Sequence, residues 1–235
     1  MTTSNGKVVY ITGGTKGIGR GIAEALVATG YQVAISGRNL EEVERVAREI
    51  GTTEQVLPLA SNVTQYEEEV QAVAAIIAHF GRLDVVIANA GVGIFASIEE
   101  LSIEDWNTMI DTNLTGVFHT LKASVAQLKQ NKGYYISVAS LAGINFFATG
   151  SGYNASKFGV VGFTQAAMLD LRAHDVKVTT ILPGSVTSNF NNHTPNEKDA
   201  WKIQPEDIGE LVVDLLQMNP RALPSKIEIR PLKTS

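Results

Sequence analysis

The chain has 235 residues, 44% of them hydrophobic, with 24 acidic against 19 basic side chains (net −5) and no cysteine. That hydrophobic fraction supports a packed core and excludes a disordered chain, and the length suits one α/β domain or two small ones. The missing cysteines exclude disulfides, thiolate metal sites and a cysteine nucleophile, and the acidic balance argues against a nucleic-acid binder. His79, His119, His174 and His193 are too scattered for a zinc site. No basic segment followed by an apolar stretch opens the chain, and no apolar run approaches the roughly 20 residues of a membrane span. A soluble, cytoplasmic protein without membrane or nucleic-acid partners is therefore expected, and the sequons at Asn62, Asn113 and Asn192 carry no weight.

Short runs rich in Val and Ile alternate with helical patterns, the signature of repeated βαβ units in a mostly parallel sheet covered on both faces. Strands are expected at Lys7–Thr12, Gln32–Ser36, Gln55–Ala60, Leu83–Ala88, Gly133–Val138, Lys177–Leu182 and Lys226–Ile229. Between them, Tyr66, Val70, Val73, Ala74 and Ile77 form one helical stripe that should face the sheet, and Ile208, Leu211, Val212 and Leu215 form another. Glu67 to Glu69 and Glu99-Glu100 read as solvated faces or as acids favoured in first helical turns. Neither linker nor repeat interrupts the alternation, so residues 1–235 read as a single α/β domain with a doubly wound parallel sheet of about seven strands. The polar segment Asn189 to Gln204 follows the sixth strand, where it reads equally as a substrate lid or as a mobile surface loop.

The first strand runs into Thr12-Gly-Gly-Thr-Lys-Gly-Ile-Gly19, and a helical pattern begins there with Ile18, Ile22, Ala25 and Leu26. Glycines at 13, 17 and 19 suit a turn that needs φ > 0 and a backbone that approaches a pyrophosphate closely. The helix N-terminus then presents N–H groups and a positive dipole end to the anion. On the first strand-to-helix junction of an α/β chain, this is a dinucleotide signal. Tyr153 and Lys157 lie four apart on an expected helix, one turn from each other on one face. A cation there favours the phenolate and should lower the tyrosine pKa from about 10 toward the range useful for acid–base catalysis.

The spacing TGGTKGIG resembles the TGxxxGxG motif of the short-chain dehydrogenase/reductase family. Further matches follow in family order: Asn89-Ala-Gly91 after the fourth strand, Asn113 in the next helix, Ser140 after the fifth strand, Tyr153-Asn-Ala-Ser-Lys157 in the form YxxxK, and Pro183-Gly184 after the sixth strand. The resemblance spans nearly the whole chain and implies a Rossmann-type fold. It also implies roles. Tyr153 exchanges the proton with the substrate oxygen, Ser140 hydrogen-bonds that oxygen, and Lys157 holds the nicotinamide ribose and tunes Tyr153. Asn113 resembles the residue that anchors a water in the proton relay. Ser137 is a rival serine without the family spacing to Tyr153.

The cofactor site so implied comprises Gly13, Thr15, Lys16, Gly17, Ile18 and Gly19 in the turn, and Arg38, Asn62 and Val63 around the adenosine. Asn89, Ala90, Gly91, Tyr153 and Lys157 follow in the middle, with Pro183, Gly184, Val186 and Ser188 beyond the sixth strand. At the end of the second strand, Ser36-Gly37-Arg38-Asn39 lacks the acid that binds the ribose of NAD. Arg38 and Lys16 instead offer two cations to a 2′-phosphate, so NADP(H) is the expected cofactor. Asn62 stands where relatives usually have an adenine-contacting Asp. The ending Ile227-Glu-Ile-Arg-Pro-Leu-Lys-Thr-Ser235 lacks the glycine-rich tail that packs between subunits in many relatives. A homodimer through helices near 113–130 and 152–173, or a homotetramer, is implied.

The leading expectation is an NADPH-dependent reductase of a ketone, aldehyde or 3-oxoacyl group, with Val92, Ile94, Phe95, Phe146, Phe147 and Phe190 lining an apolar pocket. Two alternatives stand beside it: an NADP-dependent alcohol or 3-hydroxy acid dehydrogenase working oxidatively, and a non-catalytic NADP-binding sensor module.

Overall fold

A computed structural model describes residues 6–188, 190 and 193–233; Asn189, Asn191 and Asn192 of the expected loop lie outside the described residues. Seven strands form one sheet: β1 (Val8–Thr12), β2 (Gln32–Gly37), β3 (Val56–Ala60), β4 (Val85–Ala88), β5 (Tyr134–Val138), β6 (Lys177–Pro183) and β7 (Lys226–Ile229). Their spatial order is β3-β2-β1-β4-β5-β6-β7, and every neighbouring pair is parallel. The helices are α1 (Gly17–Ala28), α2 (Leu40–Ile50), α3 (Tyr66–Phe80), α4 (Ile103–Ile110), α5 (Gly116–Asn131), α6 (Ser151–Leu171) and α7 (Pro205–Gln217). Asn113 lies in a π-helical turn, Asp111–Thr115, that joins α4 to α5. Every expected strand is present. Its fourth begins at Val85 because the Asp84 carboxylate accepts the Val8 N–H at 2.9 Å and is clamped by Arg82.

Alternation along β1 explains the two layers. Val9 and Ile11 join Ile22, Leu26, Val43, Val46, Ile208 and Val212 in a core beneath α1, α2 and α7. Val8 and Tyr10 face the other way, into a core with Val73, Ile76, Val117, Leu121, Val160 and Leu171 from α3, α5 and α6. With both faces covered, the strand can be apolar throughout, as its complete burial records. No described helix is long and apolar enough to cross a membrane.

The expected stripe on α7 is the buried one, whereas α3 is rotated. Its buried residues are Glu69, Ala72, Val73 and Ile76, and Val70 is 42% exposed. Glu69 is therefore not a solvated acid. Two hydroxyl groups, of Tyr10 and Ser61, meet its carboxylate inside the protein, and they turn the helix to bring it inward.

The chain leaves β1 on one side to β2 and returns on the other as β4. Strand order reverses there, and the loops at the carboxyl ends diverge to open a cleft.

Candidate active site

The β1–α1 turn forms one floor of the cleft. Gly13 and Gly17 have φ of +66° and +53°, which side chains other than glycine rarely adopt. Gly19 serves differently. A Cβ there would fall 2.3 Å from the Gly13 carbonyl oxygen, so this glycine lets α1 pack on its own turn and, unlike the other expected cofactor residues, does not line the cleft. The first turn of α1 has no side-chain cap and no acid, and its N-cap is Lys16. By contrast, α2, α3, α4 and α7 all carry acids in their first turns. An uncapped helix N-terminus beside Lys16 and Arg38 fits a pyrophosphate and a further phosphate. Among the described residues neither cation has an ion pair.

Asn89 spends both amide hydrogens on the carbonyl oxygens of Thr12 and Gly13, each at 3.0 Å. Its side chain thus shapes the turn, while Ala90 and Gly91 continue the cleft wall. Thr12, which sequence reasoning did not single out, accepts the backbone N–H groups of Asn89 and Ala90 on its hydroxyl, both at 3.1 Å. Its place in the glycine motif was the available signal.

Tyr153 and Lys157 project from α6 beneath the cleft, and both are almost wholly buried. Ser140 follows β5, its hydroxyl accepts the Ala142 N–H at 3.1 Å, and it is near enough to Tyr153 to favour ionisation of the phenol. Lys157 donates from Nζ to the Val138 carbonyl at 3.1 Å and lies 5.7 Å from the Tyr153 ring centre. Burial holds the Tyr153 hydroxyl up at about 12 against the smaller opposing effect of Ser140, and drives Lys157 down to about 8. The expected lowering of the tyrosine is not what the fold produces. Desolvation of the buried hydroxyl is the dominant cause, and it outweighs the ammonium lying over the ring.

Asn113 is fully buried and does not line the cleft. Its Oδ1 accepts the Val92 N–H at 2.8 Å, while Nδ2 donates to the Val92 carbonyl at 2.8 Å and to Ser156 Oγ at 3.0 Å. Both amide hydrogens are committed, which leaves a single lone pair on Oδ1 for a water. A Cβ built on Gly91 would lie 3.2 Å from that oxygen, a tight approach, and 3.6 Å from Lys157 Nζ, in ordinary contact, so a side chain at 91 would press first on Asn113. Ser137 is removed as a rival: it is fully buried and bonded to Thr164 at 2.9 Å. Asn154, invisible in the YxxxK spacing, donates to the carbonyls of Ala142 and Asn145 at 2.6 and 2.7 Å and so ties the Ser140 loop to α6.

Around Tyr153 the cleft is aromatic. The Phe95 ring lies 5.5 Å from both Tyr153 and Phe147, and Phe190 lies 5.6 Å from Tyr153. Val92 and Ile94 also line the cleft, but Phe146 does not; it is 83% exposed and stacks on Phe158. Beyond β6, Pro183, Gly184, Val186 and Ser188 line the opposite wall. Val186 bridges to Ile203, which pins the start of the following segment to its end. Further along, His193 and Lys202 both reach the buried Asp199 carboxylate, at 2.6 and 2.5 Å, and hold its pKa below the ordinary carboxylate range, Lys202 more strongly. The whole cleft measures about 1840 Å³, larger than the roughly 300–1,000 Å³ of a single small-ligand pocket. It has room for a dinucleotide and a second molecule.

Comparison with known proteins agrees with this geometry. The family model described as short chain dehydrogenase matches residues 7–199. An uncharacterized oxidoreductase of Staphylococcus aureus is 33% identical over 99% of this chain and 100% of its own length. Among solved structures, the alcohol dehydrogenase of the archaeon Thermococcus sibiricus, complexed with 5-hydroxy-NADP, superposes with a TM-score of 0.92 at 31% identity, covering 97% of this chain and 98% of that one. The 3-ketoacyl-(acyl-carrier-protein) reductase of Brucella melitensis, complexed with NADH, gives 0.88 at 26% identity over 96% and 97%. A metagenomic short-chain oxidoreductase in complex with NADP gives 0.85 at 30% identity over 99% and 100%. With the motifs in sequence, the glycine turn and the Ser–Tyr–Lys cluster in one cleft, and a match of this extent, the chain belongs to the short-chain dehydrogenase/reductase family of oxidoreductases.

Proposed function

We propose that this protein is a soluble, cytoplasmic NADPH-dependent reductase of apolar ketones, aldehydes or 3-oxoacyl groups, with Tyr153 as the proton donor. The observation that carries the reading is the convergence of Ser140, Tyr153 and Lys157 on the cleft that also receives the uncapped N-terminus of α1 and the cations Lys16 and Arg38. The bound cofactor supplies the hydride. The chain's own residues do the rest.

A tyrosine held at about 12 is a neutral phenol at pH 7 and so keeps its proton ready to give. A substrate carbonyl oxygen accepts from Tyr153 and Ser140 together, and this polarises the carbon and fixes its position. As the proton leaves Tyr153, negative charge grows near the Lys157 ammonium, an attraction that strengthens along the reaction. Asn113 acts through its neighbours: it holds Val92 on the cleft wall and Ser156 between Tyr153 and Lys157. Phe95 and Phe190 pack against the Tyr153 ring, and Phe147 against Phe95, giving the cleft an apolar wall beside the tyrosine that supports an apolar substituent on the carbonyl.

The preference for NADPH over NADH rests on Arg38, Lys16 and the absence of an acid within Ser36-Gly37-Arg38-Asn39 at the end of β2. NADP-type ligands bound by the Thermococcus sibiricus and metagenomic relatives support it. Assembly as a homodimer or homotetramer fits Phe118 and Leu169, large apolar residues that α5 and α6 leave 44% and 59% exposed; solution mass measurement tests it. The activity test is NADPH consumption across ketones, aldehydes, diketones and 3-oxoacyl esters. Turnover that Tyr153→Phe abolishes is expected. Tight NADPH binding without any turnover would overturn the reductase reading.

A further inference from the structure

Glu69 breaks the pattern of its helix. It is fully buried in the sheet-facing row of α3, between apolar residues, and its Oε2 has no hydrogen-bond partner among the described residues. An uncompensated buried carboxylate oxygen costs stability that an apolar residue would not. Such a local violation in an otherwise consistent helix points to a demand outside the helix.

The partners of the other oxygen show where that demand lies. Glu69 Oε1 accepts from the Tyr10 hydroxyl at 2.9 Å and from the Ser61 hydroxyl at 2.6 Å. The Tyr10 oxygen also lies 3.0 Å from Ser36 Oγ. Having one hydrogen, Tyr10 gives it to the carboxylate and accepts from Ser36. One carboxylate thereby joins β1 through Tyr10, the end of β2 through Ser36, and the residue after β3 through Ser61. Ser61 in turn donates its N–H to the Gly37 carbonyl at 3.0 Å, one residue before Arg38. On the neighbouring residue of α3, the Glu68 carboxylate accepts the Asn62 N–H at 2.7 Å. All of Gly37, Arg38, Ser61 and Asn62 line the adenosine end of the cleft.

We propose that Glu69 is a positioning residue for the adenosine subsite, fixing through Ser61 the two loops that carry Arg38 and Asn62. This rests on the reading that the cleft takes NADP(H). Charge-assisted bonds to hydroxyls inside a low-dielectric core are short and directional, so they hold strand ends in one arrangement better than packing alone. Tyr10 and Tyr135 register the same buried charge. Both hydroxyls are held well above the usual tyrosine range, by burial first and by Glu69 second.

The test separates the two halves of the cofactor. Binding of 2′,5′-ADP, of reduced nicotinamide mononucleotide and of whole NADPH is measured by calorimetry for the wild type, Glu69→Gln and Ser61→Ala. Ser61→Ala cuts the link at the cleft and leaves the core carboxylate and its Tyr10 bond in place, so it serves even if Glu69→Gln folds poorly. The expected result is a fivefold or greater loss of affinity for 2′,5′-ADP and NADPH in both variants, with mononucleotide affinity unchanged. Affinity for 2′,5′-ADP within twofold of wild type in Ser61→Ala, or equal losses for both halves, overturns the positioning role while leaving the cofactor reading intact. A wild type that binds neither NADPH nor 2′,5′-ADP overturns both together.

Discussion

Asn89 donates twice to Thr12, from its side-chain amide to the Thr12 carbonyl oxygen at 3.0 Å and from its backbone N–H to the Thr12 hydroxyl at 3.1 Å. The pair fastens the end of β4 to the end of β1 at the point where strand order reverses, so the cleft's two sides are tied at its base. Thr12→Val keeps the shape but leaves the N–H groups of Asn89 and Ala90 without an acceptor. Each such loss costs about 1–3 kcal/mol. The variant should therefore melt at least about 2–4 °C lower and bind NADPH more weakly. An unchanged melting temperature would mean that water replaces the hydroxyl without penalty.

On the proposed NADPH reading, Arg38 should separate the two nicotinamide cofactors. Arg38→Asp removes a guanidinium that suits a 2′-phosphate and puts a like charge in its place. A charge-assisted hydrogen bond contributes about 1.5–3 kcal/mol, so NADPH affinity should fall at least about tenfold to a hundredfold. NADH lacks the phosphate and should change by less than about threefold. Titrating both cofactors into the variant decides it, and equal losses would show that Arg38 acts on the fold or on the pyrophosphate instead.

Periodicity and motif spacing made the sheet legible: the expected runs are the strands to within one or two residues, the central ones because a strand buried on both faces must be apolar throughout. The cluster of Ser140, Tyr153 and Lys157 was equally legible from spacing. What the pattern hid were polar groups with inward partners. Glu69 looks like a surface acid until Tyr10 and Ser61, 59 and 8 residues away, arrive beside it. Asn154 reads as filler within YxxxK, yet it secures the Ser140 loop. The direction of the Tyr153 shift also lay beyond reach, since sequence separation gives the nearness of Lys157 but not the degree of burial. Nor does apolar character say which phenylalanine turns outward, as Phe146 does.

Lys157 carries a cost that pH exposes. Burial lowers its pKa to about 8 from an ordinary 10.5, so the folded chain binds a proton there less readily than the unfolded chain. Between those two values stability rises with pH, and below about 8 the penalty is complete, at a few kcal/mol. Lys157→Met removes the amine and keeps most of the volume. The variant should melt higher than wild type at pH 7 and lose that advantage as the pH approaches 10.5, while turnover collapses. Thermal denaturation at pH 7 and pH 10 checks this, and a variant less stable at pH 7 would show that the bond to the Val138 carbonyl outweighs desolvation.

Asp199 anchors residues 193–203, which run beside the cleft beyond β6. Lys202 and His193 keep its carboxylate ionised below the ordinary range, and it also accepts the Asn196 N–H at 3.1 Å. A carboxylate with a depressed pKa stabilises the fold above its unfolded value of about 3.8, and the contribution disappears as the pH falls through the folded value. Acid should therefore loosen this segment below about pH 4, and Asp199→Asn should do so already at pH 7 by removing the charge. The readout is hydrogen exchange at Thr187 and Ile203, whose N–H groups bond to Ile203 and Ser185 at 2.9 and 3.1 Å. Exchange there should quicken at least about threefold in the variant while the β1 amides stay protected. Because Phe190, His193, Trp201 and Lys202 all line the cleft, the same variant should raise the KM for the carbonyl substrate more than it lowers kcat. Unchanged exchange at Thr187 and Ile203 would show that the Val186–Ile203 bridge alone suffices to hold the segment.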